Sequence, residues 1–140
     1  MDKSQKLKAL NTITKNTLME TLAITYTDVG EDYLVATMPI NSTVHQPMGL
    51  LHGGATVALA ESVGSAASHM FIDTAAYIVK GIEITANHLK SKKEGLVTAT
   101  ATILHKGKTT HLWKIEVTDS DGAMVSFCKL TNIVLPKTIQ

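Results

Sequence analysis

The chain has 140 residues, a length that supplies one hydrophobic core of ordinary size and leaves too little sequence for a second. Hydrophobic residues make up 44% of the chain, charged residues make up 18%, and the formal net charge is +1. This balance excludes a broad nucleic-acid-binding or membrane-binding surface, so an anionic ligand has to be bound by a few local groups.

The cysteine content and the N-terminal sequence indicate in which cellular compartment the protein functions. Cys128 is the only cysteine, so no intramolecular disulfide can form, and no Cys/His spacing typical of a metal site occurs. The first ten residues contain lysines, but neither the apolar stretch nor the cleavage site of a secretion signal follows them. These features predict a reduced, cytoplasmic protein without a metal.

The N-terminal segment has helical periodicity. Apolar and threonine side chains recur at spacings of three and four from residue 4 to about residue 21, and Asp2 or Ser4 is available as the cap. This pattern predicts an amphipathic helix that packs on the rest of the protein. We treat residues 1–21 as a helical arm of a single domain that spans residues 1–140.

Alternating polarity begins after the arm. From Ala23 to about residue 40 the alternation continues on both sides of the turn residues 30–32, which predicts a β-hairpin. Residues 44–51 contain Pro47 and Gly49 and show no period, which predicts a loop.

A long helix is predicted to begin at Gly53 and Gly54. The apolar stretch that continues to residue 72 approaches the length of a membrane span, but Glu61 lies in its middle among serine, glycine and histidine residues, which favours a helix buried within the protein. Small side chains occur nearly all the way round it, so other backbone can approach closely. These small residues are Ala55, Ala58, Ala60, Gly64, Ser65, Ala66, Ala67 and Ser68.

Strand-like segments, separated by turn signals, fill the rest of the chain. They cover residues 77–88, 96–105, 109–118 and 124–134. The last three are predicted to form a meander. Strands and helices do not alternate as a parallel sheet would require, so the predicted class is α+β, with one antiparallel sheet around the long helix.

Glu61 is the first candidate for a functional residue. An ionised carboxylate within an apolar helix is costly unless a partner or a ligand compensates for its burial. One interpretation is structural, with the carboxylate satisfied by a nearby amide or hydroxyl or by a neighbouring subunit. The other interpretation is catalytic.

The start of the long helix is the second candidate. The amides of Gly53 and Gly54 lie in the first turn, where helical backbone leaves N–H groups unpaired at the positive end of the dipole. Without side chains, these residues predict a site for a ligand oxygen. His52 and Gln46 add donors that can orient or polarise a carbonyl. Alternatively, the glycines only form a tight turn and the two polar residues are ordinary loop side chains.

These two candidates are separated along one helix. Glu61 lies eight residues after Gly53, which corresponds to about 12 Å at ~1.5 Å per residue. One chain therefore cannot place both groups on the same carbonyl. Two helices that run antiparallel across a dimer interface can do so, which predicts an acyl-transfer site shared between subunits.

The segment that joins the loop to the long helix resembles a known family. The segment QPMGLLHGGATVALAESVGS, residues 46–65, resembles the signature of hotdog-fold thioesterases of the phenylacetic-acid-degradation type. Within that group the chain is most similar to 1,4-dihydroxy-2-naphthoyl-CoA and Arthrobacter-type 4-hydroxybenzoyl-CoA thioesterases. The segments GIEITANHLKS, residues 81–91, and HKGKTTHLWKIEV, residues 105–117, extend the resemblance over nearly the whole chain.

The resemblance implies a hotdog fold, in which an antiparallel sheet wraps around a long central helix, and an acyl-CoA thioesterase that needs no cofactor, since CoA is part of the substrate. It implies that Glu61 is the nucleophile or general base and that the Gly53 amide polarises the carbonyl. Gln46 and His52 are implied to orient the thioester, and Ser65 to hold the attacking water or the carboxylate.

CoA also carries phosphates, which call for local positive charge and backbone amides. The resemblance and this chemistry together suggest a substrate and CoA site with contributions from two segments and from the glycine turn. The implied residues are Gly54, His88, Lys90, Ser91, Lys106, Gly107, Lys108 and Thr109.

Several alternatives stay open. A hotdog hydratase or dehydratase would use a histidine and an acid on a β-hydroxyacyl group, and His45 is faintly similar to that arrangement. A non-catalytic acyl-CoA-binding module is the other alternative. For the thioesterase we expect an aryl or medium-chain acyl-CoA substrate, no nucleic-acid or membrane partner, and a homodimer with shared sites or a homotetramer.

Overall fold

Six strands form one antiparallel sheet in the computed structural model, which describes residues 1–138. The helices are α1 (Lys3–Thr12), α2 (Leu18–Thr21) and α3 (Gly53–His69), with a short 3-10 turn at Ser42–Val44. The strands are β1 (Thr25–Val29), β2 (Tyr33–Ile40), β3 (Tyr77–His88), β4 (Gly95–Lys106), β5 (Thr110–Thr118) and β6 (Met124–Pro136). This arrangement confirms the predicted α+β class.

The strand order is β1-β2-β4-β5-β6-β3. The predicted hairpin is formed by β1 and β2, and the predicted meander is formed by β4, β5 and β6. By contrast, β3 crosses over the meander and pairs with β6, the last strand in the sequence. Consequently β1 and β3 are the two edges of the sheet within the described residues.

The N-terminal arm is not the single helix that its periodicity predicts. Asp2 caps α1 through a capping box with Gln5, which confirms the predicted cap, but α1 ends at Thr12. Asn16 then has a φ angle of 60°, a left-handed conformation that cannot continue a helix, and α2 is only one turn long. The prediction of a continuous helix to residue 21 is therefore wrong.

The arm is fastened to the edge strand β1 by one side chain. Asn11 Nδ2 donates to the Tyr26 carbonyl at 2.9 Å, and the Tyr26 amide donates to Asn11 Oδ1 at 2.8 Å. The Asn11 carboxamide thus makes the two hydrogen bonds that a further strand would make with Tyr26. This pairing holds the arm beside α3.

One face of α3 packs on the concave side of the sheet. Its buried residues recur at spacings of three and four, as expected for one face of a helix: Thr56, Leu59, Ala60, Val63, Gly64, Ala67 and Ser68. A β-carbon at Gly64 would lie 2.6 Å from Leu130 Cδ2, so the absence of a side chain allows the close approach of helix and sheet. No helix within residues 1–138 has the length and hydropathy required to cross a membrane.

Candidate active site

The opposite face of α3 forms the floor of a groove of about 890 Å³. The N-terminal arm contributes an apolar wall with Leu10, Ile13, Leu18 and Met19. Along the floor, Glu61, Ser65 and His69 follow one another at intervals of four residues and therefore form a row on one side of the helix. The groove can therefore accommodate a largely apolar ligand.

Glu61 is half-buried in this groove. A β-carbon at position 81 would lie 2.6 Å from Glu61 Oε1, so Gly81 of β3 provides the space for the carboxylate. No donor within residues 1–138 forms a hydrogen bond or an ion pair with the Glu61 side chain. A structural role in which an amide or hydroxyl of the same chain satisfies this carboxylate is thereby contradicted, and the group is available to a ligand.

Ser65 lies one helical turn after Glu61 and lines the same groove, as the sequence predicts for residues that act together. His69, which is absent from the sequence-based candidates, continues the row one turn further. The spacing of four from Ser65 is the signal that would have identified it. The C-terminal half of α3 therefore presents a carboxylate, a hydroxyl and an imidazole to one groove.

A second, smaller cavity of about 260 Å³ lies at the N-terminal end of α3. Gln46, Gly53, His88, Lys90 and Ser91 line it. The cavity thus brings together two of the predicted catalytic residues and three of the predicted CoA-binding residues.

Only one of the two glycine amides at the helix start is available. The Gly54 amide donates to His52 Nδ1 at 2.7 Å, so His52 is the N-cap of α3. The Gly53 amide has no hydrogen-bond partner among residues 1–138. The prediction of two unpaired amides is wrong for Gly54, because the preceding imidazole caps it. His52 itself lines neither cavity.

Gln46 is oriented by its own loop. Its Oε1 accepts a hydrogen bond from the Met48 amide, and its backbone N–H donates to the Leu50 carbonyl at 2.8 Å. Since an N–H group can only bond to the amide oxygen, the Nε2 group of Gln46 remains as a donor for the cavity that Gly53 also lines.

His88 lies directly beside the helix start. Its Nδ1 is 2.7 Å from Ser126 Oγ, and its Nε2 would be 2.8 Å from a β-carbon at position 53. Any residue larger than glycine at this position would displace the imidazole. His88, predicted as a CoA contact, is therefore a neighbour of the predicted carbonyl-binding amide.

The predicted CoA-binding residues do not form one cradle within the chain. His88 pairs with Ser126 at one end of β6, whereas the turn at residues 106–109 adjoins the other end, where the Val134 amide donates to the Thr109 carbonyl at 2.8 Å. Eight residues of extended strand separate Ser126 from Val134, about 26 Å at ~3.3 Å per residue. A single-chain cradle is therefore ruled out by the register of the sheet.

Lys90 is held by an acidic partner. Its Nζ lies 2.8 Å from Asp119 Oδ2, and Lys92 Nζ lies 3.3 Å from the same oxygen. The hydrogen bond from Lys90 is the largest of the contributions that hold the pKa of Asp119 well below its usual range. Two ammonium groups thus share one carboxylate, and Asp121 adds a second negative charge that acts on Lys90.

The fold and the motif identify the family. Residues 48–126, which include Gly53, Glu61 and Ser65, match the model of the Thioesterase superfamily. The chain belongs to the thioesterase superfamily.

Individual members of the thioesterase superfamily are similar over nearly the whole chain. The structure of a mutant of thioesterase PA1618 from Pseudomonas aeruginosa superposes with a TM-score of 0.92 at 44% identity and covers 94% of each chain. The 1,4-dihydroxy-2-naphthoyl-CoA hydrolase of Escherichia coli is 41% identical over 129 residues, which are 92% of this chain and 94% of that protein. The proofreading thioesterase EntH of Cronobacter sakazakii is 40% identical over 129 residues, 92% of this chain and 93% of that protein.

These similarities confirm the predicted hotdog thioesterase family and fold. They also establish the class of enzyme, a hydrolase that acts on thioesters.

Proposed function

We propose that the protein is an acyl-CoA thioesterase with Glu61 as its catalytic carboxylate. Glu61 either attacks the thioester carbonyl or removes a proton from a water that attacks it, and CoA leaves as the thiolate or thiol. The Gly53 amide binds the carbonyl oxygen, on which negative charge develops. The observation that carries this proposal is a half-buried carboxylate without a partner among residues 1–138, on the floor of an apolar groove.

The active site is proposed to form between two copies of the chain. Glu61 and Gly53 line different cavities and are separated by about 12 Å of helix at ~1.5 Å per residue. β3 is an edge strand, and Ile82 on it is 57% exposed. Antiparallel pairing of two β3 edges places two α3 helices side by side in opposite directions, so Glu61 faces Gly53 of the partner subunit.

The same dimer arrangement explains why the predicted CoA-binding residues lie at opposite ends of the sheet within one chain. In an antiparallel pair, the end of the sheet with His88 and Lys90 lies next to the opposite end of the partner's sheet. The turn at residues 106–109 of one subunit then approaches the second cavity of the other, and lysines from both subunits are available to the CoA phosphates. A homotetramer built from such dimers remains an expectation.

The acyl group is proposed to be aryl or medium-chain. A groove of about 890 Å³ with apolar walls from the arm has room for either. One of the relatives is named as a hydrolase of an aryl-CoA thioester, which supports the aryl class. The hydratase alternative receives no support, because His45 Nε2 lies 2.7 Å from the Lys93 carbonyl and His45 lines neither cavity.

Replacement of Glu61 by glutamine tests the mechanism. Glu61→Gln keeps the shape of the side chain and removes its charge, so kcat for thiol release from a panel of aryl and fatty acyl-CoAs is expected to fall by ~10³-fold or more while KM changes little. Glu116→Gln is the matched control, since its carboxylate pairs with Lys114 at 2.9 Å outside both cavities. Near-normal turnover of Glu61→Gln would remove the carboxylate from the mechanism. CoA binding by the wild type without any thiol release would favour the non-catalytic module.

A further inference from the structure

We propose that His69 is a specificity-determining residue that accepts a hydrogen bond from a hydroxyl group at the far end of the acyl chain or ring. This role depends on the thioesterase function proposed above and adds the chemistry of the acyl group that the groove selects.

His69 lies in the part of the groove that is distant from Glu61. It lines the groove at the end of the row that begins with Glu61 and continues with Ser65. Eight residues of α3 separate His69 from Glu61, which is about 12 Å at ~1.5 Å per residue. With the thioester carbonyl at Glu61, the part of the acyl group furthest from the sulfur extends toward His69.

A backbone contact determines which ring nitrogen of His69 faces the ligand as an acceptor. Nδ1 lies 2.9 Å from the Ser65 carbonyl oxygen, which can only accept, so Nδ1 carries the hydrogen. In the neutral imidazole Nε2 then has a lone pair and no hydrogen. No group within residues 1–138 bonds to Nε2. The free nitrogen therefore favours a ligand that donates.

Two hydroxyls of the groove near this position, those of Ser62 and Tyr26, use their hydrogens in bonds within the chain. The Ser62 hydroxyl donates to the Ala58 carbonyl at 2.6 Å, and the Tyr26 hydroxyl donates to the Ser62 carbonyl at 3.3 Å. Burial raises the pKa of Tyr26 to about 12, so this hydroxyl keeps its proton. These two hydroxyls have no hydrogen left for a ligand, whereas His69 Nε2 is an acceptor without a hydrogen-bond partner among residues 1–138.

His69 is exposed in the single chain, so an acyl group that lies over it without a donor would displace water from Nε2 and leave this nitrogen without a partner. A buried acceptor that loses its hydrogen bond is unfavourable, so the site discriminates against the deoxy analogue. Discrimination by an unpaired polar group is larger than discrimination by a change in apolar size.

Paired substrates and two variants test this role. We would compare kcat/KM for para-hydroxybenzoyl-CoA against benzoyl-CoA and for omega-hydroxyoctanoyl-CoA against octanoyl-CoA. His69→Gln keeps an acceptor near the Nε2 position, whereas His69→Asn keeps only a donor near the Nδ1 position for the Ser65 carbonyl. The wild type and His69→Gln are expected to prefer the hydroxylated member of at least one pair by about 5- to 10-fold, and His69→Asn to lose this preference.

Thermal unfolding checks that both variants are folded. A wild type that hydrolyses both members of each pair equally well would overturn the role of His69 and leave the thioesterase function intact. The same holds for an unchanged preference in a folded His69→Asn. If the wild type hydrolyses none of the four thioesters, the proposed function fails, and the role of His69 fails with it.

Discussion

Ser68 is the centre of a buried polar network at the C-terminal end of α3. Its Oγ accepts hydrogen bonds from Trp113 Nε1 and Asn132 Nδ2, each at 2.7 Å, and lies 2.9 Å from His111 Nδ1. Tryptophan and the amide nitrogen can only donate, so the Ser68 hydrogen points to His111 Nδ1. His111 is therefore neutral, with its own hydrogen on Nε2. Addition of a proton to Nδ1 would remove the acceptor that completes the network.

This network predicts a pH-dependent stability. Burial lowers the pKa of His111, and Lys106 and His105 act in the same direction. An unfolded histidine titrates at about pH 6.5, so below that pH the unfolded chain binds more protons than the folded chain. The free energy of unfolding is expected to fall as the pH decreases from about 6.5 toward the lower pKa of the folded state. Above about pH 6.5, His111 does not make the free energy of unfolding depend on pH.

The variant His111→Asn isolates this contribution. Its Oδ1 supplies an acceptor near the Nδ1 position and does not titrate. Denaturant unfolding from about pH 7.5 to about pH 5 is expected to show a smaller loss of stability for the variant than for the wild type. Because the other histidines are common to both proteins, parallel stability curves over this range would contradict the assignment.

At the scale of elements, the distance between α3 and the sheet is set by small residues on the buried face of the helix. Gly64 faces Leu130 of β6, where a β-carbon would lie 2.6 Å from Cδ2. Alanine has a helix propensity better than that of glycine by ~1 kcal/mol, so at an exposed position the change would stabilise α3. At position 64 the steric overlap of a β-carbon with Leu130 is expected to cost more than the helix propensity of alanine contributes, because the surrounding core is fully buried.

Gly64→Ala is therefore expected to lower the free energy of unfolding by about 1–3 kcal/mol, measured by denaturant titration. The double variant with Leu130→Val removes the methyl group that collides and is expected to be more stable than the sum of the single changes predicts. Additive effects of the two substitutions on the free energy of unfolding would contradict a close contact between Gly64 and Leu130.

At the scale of the whole molecule, the described chain holds two incomplete sites. The Glu61 groove has a carboxylate without an oxyanion donor, and the Gly53 cavity has a donor without a carboxylate. In the proposed dimer, pairing of two subunits along β3 would complete both sites. The proposed unit of activity is therefore the dimer, although each chain has its own hydrophobic core.

Hybrid dimers test this proposal. Glu61→Gln removes the carboxylate and Gly53→Pro removes the amide hydrogen, so each variant alone is expected to be inactive. After the two proteins are unfolded and refolded together, half of the dimers are hybrids, and each hybrid has one intact site. Thiol release is expected to recover to about a quarter of the wild-type value. Hybrids that form, as shown by differently tagged chains, but remain inactive would contradict a shared site.

The local elements, and the placement of the candidate catalytic residues on α3, were predictable from the sequence. Asp2 as a cap, Gly53 as the start of α3 and the turns of the meander depend on hydrogen bonds and backbone preferences within a few residues. The row of Glu61 and Ser65 follows from the helical period alone.

Only the tertiary structure decided what depends on residues far apart in the chain. The crossover that pairs β3 with β6 separates His88 from the turn at residues 106–109, and it leaves β3 at one edge of the sheet within the described residues. Packing of α3 on the sheet likewise selected the face that carries Glu61 and His69 for the groove. Strand register and helix packing are set by the fit of distant side chains and by which backbone groups remain unpaired, and local sequence patterns do not contain this information.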